Sequence, residues 1–180
     1  MQNKSEGFLK PEKVLEQIDL ETGMKMAEFG CGRGYFIIPM AKITGDKGRV
    51  YALDVQNIAL ETVRSRAALE GLANIETIRC NLELNGGSKF ADDFLDLVLV
   101  ANILFQTQKK SDMILEARRI LKPKSQLIVI DWSENSAFAP KEAYLISKSQ
   151  ARTMIEDLGF DFKKEIEVDS QHFGLVFIKS

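Results

Sequence analysis

Three glycines at alternate positions follow a short apolar run near the beginning of the chain. The run ends in residues 27–29, and the glycines are Gly30, Gly32 and Gly34. A helix-like stretch begins directly afterwards. Glycines between a strand and a helix let the backbone turn sharply and approach a ligand that side chains would keep away. The segment therefore predicts an α/β fold with a ligand at the carboxyl end of the first strand. A tight turn that binds no ligand is the alternative.

The spacing of these glycines distinguishes between two classes of nucleotide cofactor. A dinucleotide-binding loop has the pattern G-x-G-x-x-G, in which the last glycine allows close packing of the helix on the strand. Tyr35 stands at that last position here, and the third glycine comes one residue earlier, at Gly34. The pattern E-x-G-x-G-x-G, which begins at Glu28, resembles instead the first motif of the class I S-adenosylmethionine (SAM) dependent methyltransferases.

Strand-like and helix-like segments alternate along most of the chain. The apolar patterns predict strands over 24–29, 49–55, 75–80, 95–101 and 126–132, and helices over 11–20, 35–43, 58–70, 112–121 and 147–159. Such alternation is typical of a parallel sheet with helices on both faces. Two further strands, 162–168 and 173–178, are separated by only four residues and must pair antiparallel, because a parallel connection is much longer.

This closing hairpin agrees with the methyltransferase resemblance and not with a fully parallel dinucleotide fold. The resemblance implies a three-layer, Rossmann-like α/β fold whose seven-stranded sheet has the order 3-2-1-4-5-7-6, with an antiparallel last strand. Residues 23–39, 116–123 and 172–177 look like the small quinone-biosynthesis-type branch of these enzymes, also called methyltransferase-11-like. Residues 124–125 depart from it, because the family more often has two glycines there.

The bulk properties predict a single domain of ordinary globular composition. Its 180 residues are enough to bury a full core, and we expect residues 1–22 to form a helical cap or lid on a methyltransferase domain of residues 23–180. A net charge of −2 gives no electrostatic footprint of nucleic acid, and the apolar runs are too short for membrane insertion. Two cysteines build neither a disulfide framework nor a four-cysteine zinc site. We expect a cytoplasmic enzyme that does not bind nucleic acid.

Asp54 ends the second strand, 24 residues after Gly30. A carboxylate at this place can accept hydrogen bonds from both ribose hydroxyls of an adenosine group. An acid that only caps the next helix is the alternative. Because the same acid would serve NAD, Asp54 and its neighbour Val55 predict nucleoside binding without choosing the cofactor.

The resemblance implies further contacts with SAM. Asn81 and the backbone amide of Leu82 would face the adenine, with Glu83 as a neighbouring candidate. Glu28 could take the ammonium group of the methionine part, directly or through water, together with backbone carbonyls that follow the fourth strand. The carboxypropyl chain would lie against main-chain amides of the glycine loop. The predicted cofactor-binding residues are Glu28, Phe29, Gly30, Cys31, Gly32, Gly34, Asp54, Val55, Asn81, Leu82, Ala101 and Asn102.

The residues around the methyl acceptor are predicted from their position at the same edge of the sheet. Tyr35, Phe105 and Trp132 are expected to form a substrate pocket. A lid is expected from residues 8–10, together with Phe138, because the short link after Trp132 leaves no room for a large inserted substrate domain.

No catalytic residue is predicted. The methyl group of SAM is already activated, so the enzyme needs mainly to align the nucleophile with the methyl–sulfur bond. No metal site is expected, because the end of the fourth strand lacks the acid that metal-dependent relatives carry there. His172, the only histidine, is expected to be structural.

These observations predict a SAM-dependent methyltransferase that transfers a methyl group to a small or medium-sized, partly apolar acceptor by in-line displacement, with S-adenosylhomocysteine (SAH) as product. Two alternatives stay open: a nicotinamide-dependent oxidoreductase, and a non-catalytic SAM-binding domain. Whether the chain is a methyltransferase or a non-catalytic SAM-binding domain, a second copy or another partner could complete the lid.

Overall fold

The computed structural model describes residues 9–141 and 144–180. Its strands are β1 (Lys25–Phe29), β2 (Arg49–Asp54), β3 (Ile75–Arg79), β4 (Leu95–Ala101), β5 (Leu121–Trp132), β6 (Phe160–Ile166) and β7 (His172–Lys179). They form one seven-stranded sheet in the order β3-β2-β1-β4-β5-β7-β6. Strands β1 to β5 run parallel, and β7 pairs antiparallel with both β5 and β6. The predicted strand order and the predicted hairpin are confirmed.

Five α-helices and one short 3₁₀ helix connect these strands within the described residues. They are α1 (Pro11–Leu15), α2 (Ile37–Thr44), α3 (Asn57–Leu69), the 3₁₀ helix (Leu104–Gln106), α4 (Lys110–Ile120) and α5 (Lys148–Asp157). Helix α2 begins two residues later than predicted, because Tyr35 and Phe36 still belong to the turn that leaves the glycine loop. None of the described helices has both the length and the apolar character needed to cross a membrane.

The two faces of the sheet carry separate apolar cores, because successive side chains of each strand point to opposite faces. In β4, Val98 and Val100 pack with residues of α4 and α5, whereas Leu97 and Leu99 pack with residues of α1, α2 and α3. All four side chains are at most 1% exposed. Burial on both faces explains why this strand reads as a nearly continuous apolar run.

Helix α1 is shorter than predicted, since it ends at Leu15 and not at residue 20. The next amides bond only three residues back, Gln17 to the carbonyl of Val14 and Ile18 to that of Leu15, both at 3.1 Å. This pattern tightens the helix end into 3₁₀-type turns. Val14, Leu15 and Ile18 are nevertheless buried, so the described part of residues 1–22 packs on the sheet. Its role as a cap or lid stays a prediction.

Two local features of the backbone follow from the sequence, one at the start of α5 and one within β5. Helix α5 opens with the predicted capping box, in which Ser147 Oγ accepts from the amide of Gln150 and Gln150 Oε1 accepts from the amide of Ser147, both at 3.1 Å. After α4, Lys124 has a φ of +66°. That conformation favours glycine, which agrees with the pair of glycines that the family resemblance leads one to expect at residues 124–125.

Candidate functional site

The glycine loop between β1 and α2 has a left-handed backbone at each glycine. The φ angles are +69° at Gly30, +48° at Gly32 and +71° at Gly34. A Cβ atom on Gly30 would lie 2.3 Å from Cδ1 of Ile103, and one on Gly34 would lie 2.9 Å from Cγ2 of Val63. At Gly32, no described atom lies within 4 Å of such a Cβ. Packing therefore requires the first and third glycines, whereas the middle glycine faces open space.

That open space is a cleft of about 270 Å³ at the carboxyl ends of β1, β2 and β3. We call it the glycine-loop cleft. Six of the residues predicted to bind the cofactor line it: Gly30, Gly32, Asp54, Val55, Asn81 and Leu82. The structure thus brings together residues from three separate strand ends that lie up to 52 positions apart in the sequence.

Asp54 links the two loops that form the floor of this cleft. It is only 8% exposed, and its Oδ2 accepts a hydrogen bond from the amide of Gly32 at 3.1 Å. Its Oδ1 accepts from the amide of Gln56, which is the N-cap residue of α3, at 2.9 Å. A carboxylate has about four lone-pair sites, so each oxygen can still accept from a ribose hydroxyl. The capping role and the predicted ribose role are compatible in this geometry.

The main-chain amides of the glycine loop are already used within the protein. The amides of Gly30 and Cys31 both donate to the carbonyl of Leu53, at 2.8 and 3.0 Å, and the amide of Gly34 donates to the carbonyl of Cys31 at 2.8 Å. These three amides are therefore not directed at the cleft, and the predicted contact of the carboxypropyl chain with loop amides stays a prediction. What the loop offers to a ligand is the bare Cα surface of Gly32.

Four of the predicted cofactor residues have side chains that lie beneath the cleft and do not belong to its described lining. Phe29 is fully buried, Cys31 is 3% exposed and Ala101 is 8% exposed, all within the apolar cores. Burial raises the pKa of the Cys31 thiol well above its ordinary value. These three residues can reach a ligand only through their backbone.

Glu28 is the fourth of these residues and the one with an unsatisfied polar atom. It is 4% exposed, and the nearby backbone amide of Ile37 acts to lower its pKa. Its Oε2 is buried and has no hydrogen-bond partner in the part of the chain that the structure describes. Burial, reinforced by the nearby charge of Asp54, raises the pKa of Glu28 well above its ordinary value. A buried carboxyl oxygen without a hydrogen-bond partner is rare, and a cationic ligand group that reached it would satisfy it and favour its ionised form.

The loop after β3 closes the other end of the cleft. Asn81 Oδ1 accepts from the amide of Glu83 at 3.0 Å, which fixes the direction of the Asn81 side chain. Leu82 is 4% exposed and contributes an apolar wall. An oriented amide beside an apolar wall suits a flat heterocycle that carries an amino group.

A buried carboxylate supports this loop from α4. Glu116 is 1% exposed and accepts from the amides of Gly86 at 2.8 Å and Ser88 at 2.9 Å. Arg119 donates to the same carboxylate at 2.8 Å. Burial alone would raise the pKa of Glu116, but the hydrogen bonds from Arg119, Ser88 and Gly86 outweigh it and lower this pKa to about 2. Glu116 was not among the residues predicted for the site.

Other residues of the cleft were also missed. Gln56, Ile103, Gln106, Thr107 and Met113 line it beside the predicted ones. Most of them lie in the segment between β4 and α4, where the sequence has neither a strand nor a helix pattern. No local signal separates them from ordinary connecting residues.

A second, mainly apolar cavity of about 790 Å³ adjoins the cleft. We call it the apolar cavity; it is lined by Leu9, Tyr35, Asn102, Trp132, Phe138 and residues 169–172. The linings of the two spaces come together at the end of β4, where Asn102 borders the apolar cavity and the next residue, Ile103, borders the cleft. The predicted pocket residues Tyr35 and Trp132 thus share one cavity. Of the predicted lid, residue 8 lies outside the described residues.

Asn102 is strained and unsatisfied at this junction. Its φ is +53°, and its Oδ1 is buried without a hydrogen-bond partner among the described residues. Backbone strain of this kind is found most often at functional sites. Asn102 was predicted as a cofactor residue through its backbone, and its position places it beside the acceptor space as well.

Phe105 does not belong to the described lining of the apolar cavity. It lies on the 3₁₀ helix, where its amide donates to Asp131 Oδ2 at 3.2 Å and its carbonyl accepts from the amide of Tyr144 at 2.8 Å. Asp131 is 1% exposed, and burial raises its pKa to about 6. The carboxyl group anchors the 3₁₀ helix to β5, so Phe105 is held on the other side of that strand from Trp132.

His172 was expected to be structural, and in the structure its ring contacts a carboxylate and an aromatic ring. Its Nδ1 lies 2.9 and 3.0 Å from the two carboxylate oxygens of Asp169. Its ring lies over Trp132 with 4.1 Å between centroids. Over residues 9–141 and 144–180, no three His, Cys, Asp or Glu side chains are grouped so that they could hold a metal ion.

The chain resembles known proteins over most of its length. A family model described as a methyltransferase domain matches residues 20–171. The demethylmenaquinone methyltransferase of Bacillus velezensis is 26% identical over 136 residues, which are 75% of this chain and 57% of that protein. The ubiquinone/menaquinone biosynthesis C-methyltransferase UbiE of Shewanella woodyi is 26% identical over 132 residues, which are 73% of this chain and 51% of that protein. The chain thus spans about half the length of the curated relatives it matches.

A solved structure gives the same answer for the fold and the cofactor class. The crystal structure of a SAM-dependent methyltransferase from Aquifex aeolicus superposes with a TM-score of 0.85 at 26% identity, and the match covers 96% of this chain and 90% of that one. A nicotinamide cofactor, which Asp54 alone left open, is disfavoured by this family and by the position of the third glycine. The chain therefore belongs to the methyltransferase-domain family, whose cofactor is SAM.

Proposed function

We propose that the protein transfers the methyl group of SAM to a small or medium-sized, partly apolar acceptor that binds in the apolar cavity. The observation that supports this proposal is that consecutive residues after β4 line the two spaces. Asn102 lines the apolar cavity and Ile103 lines the glycine-loop cleft, so an acceptor in the first space would lie beside a cofactor in the second.

The residues of the cleft are chemically suited to each part of SAM. Asp54 would accept the ribose hydroxyls, and the turn of Asn81 and Leu82 would hold the adenine. Gly32 leaves room for the methionine part, and the unpartnered Oε2 of Glu28 supplies a buried acceptor for its ammonium group. The cofactor brings an activated methyl group, so the protein itself needs chiefly to position the acceptor and to exclude water.

The lining of the apolar cavity points to the kind of acceptor. Tyr35, Trp132 and Phe138 provide aromatic surface, which suits a flat, apolar ring. The curated relatives are named for demethylmenaquinone and for ubiquinone and menaquinone biosynthesis. An aromatic acceptor of quinone-like size is therefore the first class that we would test for this chain.

The proposal is tested by incubating the protein with methyl-labelled SAM and a metabolite extract. We expect label in one or a few apolar small molecules. Trp132→Ala should reduce this transfer, whereas Leu69→Ala should not, because Leu69 is an apolar residue of α3 that is 88% exposed and does not border either space.

Two results would contradict the proposal in different ways. Label found only in protein or RNA would mean that the acceptor class is wrong. Absence of label from every fraction, with SAH still bound by the folded protein, would favour the non-catalytic SAM-binding domain. The rim of the apolar cavity, where Tyr35 is 58% and Phe138 is 74% exposed, is the surface that a partner would then cover.

A further inference from the structure

A histidine and an aspartate form a buried pair on the wall of the apolar cavity. The side chains of His172 and Asp169 are only 7% and 5% exposed. The Oδ1 of Asp169 accepts from the backbone amides of Gln171 at 2.7 Å and His172 at 2.9 Å, and also lies 2.9 Å from Nδ1 of His172. These contacts hold the carboxylate in one position.

This arrangement determines which ring nitrogen of His172 carries the proton. A carboxylate only accepts hydrogen bonds, so Nδ1 is the donor towards Asp169. In the neutral imidazole, the lone pair then lies on Nε2. That atom is buried, and within residues 9–141 and 144–180 nothing donates a hydrogen bond to it.

The neighbours of Nε2 belong to the proposed acceptor space. His172 on β7 is the direct pairing partner of Trp132 on β5, and both residues line the apolar cavity. Asn102 lines the same cavity and has an unpartnered Oδ1. Two buried polar atoms that have no partner among the described residues, on side chains that line one cavity, are rare without a ligand that satisfies them. The ligand that fits is an apolar ring that carries a hydroxyl group.

Resting on the proposed function, we propose that His172 is the general base of the reaction and that the acceptor is a phenol-like molecule. Nε2 removes the proton of the acceptor hydroxyl. Asp169 is a positioning residue, because it fixes the tautomer and stabilises the imidazolium that forms. This role differs from the purely structural one expected from the sequence.

The proton transfer is balanced with the methyl transfer. The electron pair left by the hydroxyl proton forms the new bond to the methyl carbon, at the oxygen or at a ring carbon conjugated with it. The methyl–sulfur bond breaks, its electron pair goes to sulfur, and SAH is formed. His172 holds one proton, which passes to water. When the attack comes from carbon, the ring hydrogen returns to the oxygen, so one proton is released in both cases.

The chain offers a clean test because His172 is its only histidine. Protein labelled with ¹⁵N-histidine gives one imidazole in the spectrum, and it is titrated with 2-naphthol and with 2-methoxynaphthalene, with and without SAH. We expect the Nδ1-protonated tautomer, and a saturable change of the Nε2 resonance with 2-naphthol that its methyl ether does not produce. An Nε2 resonance that ignores 2-naphthol, or responds equally to both probes, would overturn the proposal.

His172→Asn provides the kinetic test. Asparagine keeps a nitrogen donor near the Nδ1 position, facing Asp169, and removes Nε2. We expect kcat for methyl transfer to fall by about 100-fold or more, the usual scale for a general base, while the Kd for SAH stays within about twofold of the wild type. An unchanged kcat in a folded variant would overturn the assignment. A wild type that neither binds SAH nor transfers methyl would refute the proposed function instead, and the naphthol titration would still decide the role of His172.

Discussion

Replacing Gly32 by alanine separates the ligand-binding role of the glycine loop from its role in folding. Gly32 has a φ of +48°, and no described atom lies within 4 Å of a Cβ placed on it. Gly71, after α3, has a φ of +66° and equally open surroundings, but it does not border the glycine-loop cleft. Gly71→Ala is therefore a matched control, since it carries the same backbone strain without a ligand nearby.

The expected loss of stability is the same for these two variants. A left-handed backbone costs an alanine about 1–2 kcal/mol, and the smaller entropy of the unfolded chain offsets about 0.4–1 kcal/mol of that. The free energy of unfolding should fall by about 1 kcal/mol in each. Gly34→Ala adds a contact of 2.9 Å with Val63, and overpacking costs about 1–3 kcal/mol more, so its total loss is about 2–4 kcal/mol.

Binding of SAH should follow a different order. The methyl group of Gly32→Ala projects into the cleft, and inserting a methyl group into a filled site costs about 1–3 kcal/mol, which weakens binding about 5- to 140-fold. Gly71→Ala and Gly34→Ala should bind within about threefold of the wild type while folded. Urea unfolding and calorimetric titration measure both quantities. If Gly32→Ala bound SAH as well as Gly71→Ala does, our placement of the ligand against Gly32 would be refuted.

Two buried carboxylates give predictions with opposite pH dependence. Burial raises the pKa of Glu28 above its ordinary 4.5, so the native protein keeps a proton that the unfolded chain releases, and stability falls as the pH rises from there. Glu28→Gln should therefore be more stable than the wild type at about pH 8, by about 1 kcal/mol or more, and this advantage should be smaller at about pH 5. A difference in unfolding free energy that does not change with pH would contradict this. The pKa of Glu116 is lowered to about 2, so its contribution is present above 4.5 and lost as the pH falls towards 2. Glu116→Gln should lower the free energy of unfolding by about 3 kcal/mol near neutral pH, and its difference from the wild type should shrink in acid. A loss of less than about 1 kcal/mol, measured by chemical unfolding at neutral pH, would disprove the role of this carboxylate.

The sheet was predictable because its signals are local. Most of the parallel strands contain a short apolar run bounded by polar or glycine residues, and the four residues between the last two predicted strands exclude a parallel connection. The glycine loop is also a local pattern, since its left-handed backbone needs glycine at fixed spacing. These features predicted the strands and the hairpin, whereas the strand order, which the structure confirms, was implied by the family resemblance.

Side-chain directions around the loop were harder to predict. The motif marks backbone positions, but Phe29 and Glu28 point to opposite faces of the sheet, and neither side chain borders the cleft. Cys31 turns into the core between the glycines. Phe105 was placed in the acceptor pocket because of its sequence position, whereas its hydrogen bond to Asp131 holds it elsewhere.

Residues whose roles depend on distant partners gave no signal at all. Glu116 lies on a helix whose apolar pattern suggests an ordinary amphipathic segment, and its partners at Gly86 and Ser88 come from a loop about 30 residues earlier. His172 carries its partner Asp169 three positions before it, a spacing that is visible in the sequence. Its position beside Trp132, however, depends on the pairing of β5 with β7.

The most direct test of the central claim is a calorimetric titration of the folded protein with SAH, in competition with NADH. We expect micromolar binding of SAH that NADH does not displace. Asp54→Asn should weaken this binding by about 1.5–3 kcal/mol, the scale of a lost charge-assisted hydrogen bond. Asp46→Asn removes the same charge from an exposed turn and should leave the Kd unchanged. A flat trace with folded wild-type protein, or displacement of SAH by NADH, would contradict the assignment of the glycine-loop cleft to SAM.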